Sequence, residues 1–125
     1  MRVFVYGTLT DPERVGVVVE QFEFVEEATL VGLHRVEGRY PTLVPGGETE
    51  GRLLETSDIH ALDNYEGVSH GLYCRVQVQD GINVYVGDPV KLNVEETISW
   101  PGNDTFESRV RRFIEEENVH VRTTI

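Results

Sequence analysis

Lysine is nearly missing from this chain of 125 residues: of its 11 basic residues only Lys91 is a lysine. Cysteine is as scarce. Cys74 stands alone, so neither an internal disulfide nor a multi-cysteine metal site can form. It falls in an alternating stretch and reads as a small buried hydrophobe, since no histidine pattern accompanies it as a catalytic thiol would require. His34, His60, His70 and His120 lack the H-x-x-x-H or H-x-H spacing of metal ligands, so no metal site is expected. There is no apolar run of about 18 residues and no signal-peptide pattern, which leads us to expect a soluble, cytoplasmic protein with no membrane span. The G-x-x-x-x-G-K-[ST] spacing of a phosphate loop is absent too. No internal repeat or low-complexity segment breaks the chain.

What is abundant is negative charge. Against 11 basic residues stand 22 acidic ones, a net charge of -11. That field repels nucleic acid and anionic membranes and so argues against a binder of either. An acidic surface almost without lysine also suggests adaptation to high salt, where dense counterions screen self-repelling carboxylates, and hence a halophilic source. With 39% hydrophobic residues the chain fits one domain over residues 1–125 with a core of its own.

Taken in order, Arg2 to Tyr6 reads as a first strand and Pro12 to about Glu20 as a short helix carrying Val15, Val18 and Val19 on one side. Phe22 to Val36 is a longer strand region with a bulge or turn at Glu26-Glu27. The stretch Arg39 to Pro45 is followed by a Gly46-Gly47 turn, and Glu50 to Glu55 forms another strand. Ser57 or Asp58 caps a short helix that stops at Gly67. Leu72 to Gln79 alternates, Asp80-Gly81 signals a hairpin turn, and Ile82 to Val86 returns as its partner. In that alternation Tyr73 and Arg75 face away from Cys74, Val76 and Val78; for Arg75 exposed pairing on the sheet surface is the commoner outcome. Beyond Gly87, a Val/Ile-rich piece lies between Pro89 and Pro101 and gives no clear element. Asp104 and Glu107 then form a D-x-x-E helix start, with Phe106, Val110, Phe113 and Ile114 as an apolar stripe. The Arg109, Arg111, Arg112 cluster reads as a solvated face, and Val119 to Val121 as a last short strand.

Two stretches could carry chemistry. The first is Val3-Phe4-Val5-Tyr6-Gly7-Thr8-Leu9, an apolar run that reads as a strand buried on both faces and stops at a glycine. Gly7 allows a positive φ or a close approach. Thr10-Asp11-Pro12-Glu13 follows with the T-x-x-E spacing of a capping box. A strand, a glycine turn and a helix start can present backbone donors to a carboxylate or an oxyanion; the plainer reading is a tight turn with no ligand. The second stretch is the helix ending at Gly67. Ile59, Leu62 and Glu66 follow i, i+3, i+7 spacing, so Glu66 shares the stripe that faces the core, while Asp63 and Asn64 are expected toward solvent. A carboxylate there is driven to hold its proton by burial and by the helix dipole, the environment of a general base. Its alternative is a frayed last turn that lets the side chain escape to water. Tyr65 reads as core packing or a rim hydrogen bond.

The motifs Val3 to Leu9, Gly51-x-Leu53-Leu54, Leu62-Asp63-x-Tyr65-Glu66-Gly67 and Tyr73-x-Arg75-x-x-Val78, in this order, resemble the gamma-glutamylcyclotransferase-like, or AIG2-like, family. The resemblance runs from residue 2 to about residue 86, and residues 87–125 read as a C-terminal extension with a helix near 104–117. It implies an α+β fold: a small mixed β-barrel-like sheet with short helices and a cavity at one end. Tyr6, Gly7, Thr8 and Leu9 would line that cavity as the substrate-binding loop, and Glu66 would project into it as the catalytic base. The implied reaction releases 5-oxoproline from a γ-glutamyl amide or amine, a small-molecule substrate, by attack of the substrate's own α-amine. It implies no cofactor and no enzyme nucleophile, in keeping with the lack of a Ser-His-Asp or Cys-His constellation. The loop is Y-G-T-L, as in the γ-glutamylamine-processing, bacterial and plant branches, and not the Y-G-S-N of glutathione-related enzymes. A protein of this family can also keep the pocket without the reaction, binding a small carboxylate metabolite or a partner.

Overall fold

In the computed structural model, which describes residues 1–79, 81–94 and 100–123, the first apolar run becomes strand β1 (Arg2–Val5). Val3 and Val5 point into one apolar cluster, Phe4 and Tyr6 into another. A strand with no polar face has to lie inside a sheet covered on both sides. It pairs antiparallel with β3 (Thr42–Glu55) and parallel with β5 (Ile82–Gly87). With β2 (Glu23–Val36), β4 (Tyr73–Gln79) and β6 (His120–Thr123) the sheet order is β4-β5-β1-β3-β2-β6. The sheet curls until its edges approach: the Val121 N–H of β6 donates to Gln79 Oε1 of β4 at 2.9 Å. This is a mixed α+β fold, as expected, with a half-barrel sheet and, among the described residues, three α-helices.

The helices cover opposite faces. Helices α1 (Pro12–Val18) and α2 (Ile59–Tyr65) lie by the cluster that holds Val3, Val5, Val15, Val19, Leu54 and Leu62. Helix α3 (Phe106–Glu116) packs Val110 and Ile114 into the other, beside Trp100, whose ring meets Phe113 edge-on at 5.4 Å. Cys74 is buried there as a hydrophobe, and burial pushes its thiol up to about 12. No helix among the described residues is long and apolar enough to cross a membrane.

Several local expectations need correction. Gly46-Gly47 does not end a strand: both residues lie inside β3, opposite Gly32, where β2 shifts register between Val31 and Leu33. Their φ values of 100° and 68° let the extra residue bulge out while pairing resumes on either side. The cap of α1 is Asp11, whose carboxylate accepts from the Glu13 N–H, because Pro12 occupies the first helical position. The cap of α3 is Thr105, which accepts from the Ser108 N–H, in place of Asp104. Arg109 is not a solvated residue: it is half-buried and donates to the Trp100 carbonyl at 3.1 Å. Asp80 of the hairpin turn, and residues 95–99 of the Val/Ile-rich piece, lie outside the described residues.

Candidate active site

Strand β1 ends at Val5, and the chain turns once as 3-10 helix over Thr8–Thr10 before α1 begins. Gly7 has φ -127°, so the turn does not use the left-handed conformation, and a Cβ would meet Pro41 Cγ at an ordinary 3.4 Å. What a side chain at position 7 would take up is space between the loop and Pro41. Both residues line a cavity of about 450 Å³ at this end of the sheet. That volume suits a small metabolite.

The same cavity brings Glu66 to the loop. Tyr6, Gly7, Thr8, Leu9 and Glu66 all line it. The last turn of α2 does not fray: the Glu66 N–H donates to the Leu62 carbonyl at 2.9 Å, and Gly67, at φ 68°, turns the chain away. The Glu66 side chain is half-buried and has no hydrogen bond or ion pair among the described residues. Burial alone lifts its carboxyl from 4.5 to about 7. Three tyrosines surround it. Burial above all pushes the phenols of Tyr6, Tyr73 and Tyr85 upward; Tyr73 and then the Glu66 charge add to it at Tyr6, Glu66 at Tyr73, and the Asp63 carboxylate at Tyr85, so all three stay protonated. Tyr6 donates to the Tyr85 carbonyl and Tyr73 to the Pro41 carbonyl, each at 2.6 Å. At the rim, Tyr65 Oη and Thr8 Oγ1 share a hydrogen bond at 2.9 Å, joining α2 to the loop.

Asp63, expected toward solvent, is instead tied down. Its Oδ1 accepts from Arg75 Nε at 2.9 Å and from the Tyr85 hydroxyl at 2.6 Å, and the carboxylate is only 19% exposed. Its position was legible. Asp63 lies i+4 from Ile59 and i-3 from Glu66, so at 3.6 residues per turn it falls on their face. One carboxylate therefore fastens α2 to β4 and β5, three residues ahead of Glu66. Arg75 accordingly finds a half-buried partner in place of an exposed one. Among the described residues no group of three or more histidine, cysteine or acidic side chains could hold a metal ion.

A family profile described as gamma-glutamyl cyclotransferase, AIG2-like, matches residues 3–100. The chain belongs to this family. The match to the AIG2-like cyclotransferase family passes beyond the resemblance read from the motifs, which runs to about residue 86, and reaches Trp100. AIG2-like protein A of Arabidopsis thaliana is 37% identical over 81 residues, covering 61% of this chain and 49% of that protein. AIG2-like protein B of the same plant is 31% identical over 129 residues, covering 98% of this chain and 73% of that protein. The chain thus spans about half the length of the first relative. A solved structure of a protein named gamma-glutamyl cyclotransferase superposes with a TM-score of 0.59 at 22% identity, over 70% of this chain and 66% of that one. At that identity the likeness concerns the AIG2-like fold.

Proposed function

We propose that this chain is a cyclotransferase that releases 5-oxoproline from a γ-glutamyl amide or amine, with Glu66 as general base. The observation that carries this reading is one cavity shared by a carboxyl with raised proton affinity and a loop whose Gly7, Thr8 and Leu9 N–H groups have no partner among the described residues.

The chemistry matches those groups. The substrate's α-ammonium must lose a proton before its nitrogen can attack, and a carboxylate poised near neutrality accepts it. The freed amine attacks the γ-carbonyl carbon of the same molecule, so the enzyme has only to fold the substrate into a near-attack geometry. Loop N–H groups hold the α-carboxylate or the oxygen of the tetrahedral intermediate, where fixed donors are worth most. As the intermediate collapses, the bond to the leaving nitrogen breaks and the proton held by Glu66 passes to the departing amine. The regenerated Glu66 carboxylate then takes the second proton from the ring nitrogen and hands it on, so the amine leaves as an ammonium and the product keeps one lactam N–H. The three protonated phenols add no charge of their own to the cavity wall, which also carries the Arg14 cation.

The test is incubation of the purified chain with a panel of γ-glutamyl compounds, in low and in molar salt, with 5-oxoproline quantified. Release that disappears in Glu66→Gln, while the variant keeps a native-like melting curve, is the expected result. Turnover that survives in Glu66→Gln removes Glu66 as the base. Carboxylate binding without turnover of any compound would make the chain a binding protein.

A further inference from the structure

The loop lining the cavity is gripped from outside it. Arg35 of β2 donates from Nη1 to the Tyr6 carbonyl at 2.8 Å, and Arg52 of β3 donates from Nη1 to the Thr10 carbonyl at 3.1 Å. Between these points the Gly7 carbonyl accepts from the Thr10 N–H at 3.0 Å and from the Thr10 hydroxyl at 2.7 Å. The Thr8 carbonyl accepts from the Asp11 N–H at 3.2 Å. The carbonyls of Tyr6, Gly7, Thr8 and Thr10 are therefore occupied, while the successive N–H groups of Gly7, Thr8 and Leu9 have no partner among the described residues. Neither arginine lines the cavity.

In a trans peptide the C=O and the following N–H point in opposite directions, and no peptide bond here is cis. A guanidinium on the Tyr6 carbonyl thus sets the direction of the Gly7 N–H. It also polarises that peptide unit, which makes the N–H a stronger donor. We infer that Arg35 is a positioning residue for anion capture: from outside the cavity it aims and strengthens the Gly7 N–H that takes the substrate's α-carboxylate. The identity of the anion rests on the cyclotransferase reading; the grip of Arg35 on the loop does not. Arg35 is the more telling of the two arginines because among the described residues its one other partner is Glu37, at 3.0 Å, and the Arg35 side chain is 42% exposed. Arg52 also covers the Phe24 ring at 3.8 Å, so its loss would remove packing as well.

The experiment uses Arg35→Ala and Arg35→Gln in the full chain, with two readouts. Steady-state release of 5-oxoproline separates KM from kcat. Titration of 5-oxoproline itself into 15N-labelled protein follows the amide signals of Gly7, Thr8 and Leu9 and needs no turnover. For Arg35→Ala the expected outcome is KM for substrate and Kd for 5-oxoproline both raised about tenfold, the loss of one charge-assisted hydrogen bond, with kcat little changed. The Gly7 amide proton should lose its ligand-induced shift first. Arg35→Gln keeps a neutral donor and should fall between Arg35→Ala and the native chain; it decides alone if Arg35→Ala does not fold. Unchanged KM and Kd, or a loss confined to kcat, overturns the inference, as does the absence of any 5-oxoproline shift at these amides in the native chain. If no γ-glutamyl compound turns over, the cyclotransferase reading fails while the titration still decides the role of Arg35.

Discussion

Burial of Glu66 should be visible in stability measurements that involve no substrate. Its carboxyl is lifted from 4.5 to about 7 by loss of water around it. Between those values the folded chain holds a proton that the unfolded chain has released. Stability therefore falls as pH rises through that window. The contribution is fully present below about 4.5 and gone once pH has passed well beyond 7. The whole span corresponds to about 3 kcal/mol, an upper value because the carboxyl opens onto the cavity and can draw water there. Glu66→Gln keeps the shape and removes the titration. Urea unfolding of both proteins at pH 5 and at pH 8.5 isolates the effect from every other group that titrates in both. Relative to the native chain, the variant should gain about 2 to 3 kcal/mol between the two conditions. Parallel stability curves would show that the carboxyl is hydrated in the folded protein, and the basis for a poised base would go with it. The same titration should govern turnover, with kcat/KM rising through a pKa of about 7 to a plateau at higher pH, since the base acts when ionised.

Other expectations follow from single contacts. Asp63→Ala strips Arg75 and the Tyr85 hydroxyl of a shared acceptor and should cost about 2 kcal/mol in urea unfolding; an unchanged midpoint would mean that α2 is not anchored there. Gly51→Ala would drive a Cβ into the Val5 carbonyl and to 2.7 Å from Phe4 Cζ. Because both belong to the central strand, we expect a loss of about 2 kcal/mol or more, with melting temperature as the check. The -11 net charge leads us to propose dependence on salt: Tm should drop as molar salt is dialysed away, and a Tm indifferent to salt would end the halophilic reading.

Strand β1 was legible because its burial pattern is local. An uninterrupted apolar run needs cover on both faces wherever it sits, and Val3 to Tyr6 have it. The same holds for the stripe of α3, whose Val110 and Ile114 are buried. Glycine pairs were harder. Gly46-Gly47 has the composition of a turn, and only the partner strand, with Gly32 opposite, makes it a bulge. Caps moved by a residue where a neighbouring proline or threonine competed for the first turn. Helical geometry puts Asp63 beside Ile59 and Glu66, and a carboxylate is stable there only because the fold brings Arg75 and the Tyr85 hydroxyl to it.

The order of side chains along the chain was enough to determine that β1 and the stripe of α3 turn inward, where the first strand breaks, and that a carboxyl at position 66 rides on a core-facing stripe. It also carried the family resemblance. Only the folded chain decided that Glu66 and the Tyr6 to Leu9 loop, separated by some sixty residues, open onto one cavity. It alone brought Arg35 to the Tyr6 carbonyl and Arg75 to Asp63. Periodicity records which way a side chain faces on its own element; what it meets there depends on how the sheet curls, which is set by pairings between residues far apart in sequence.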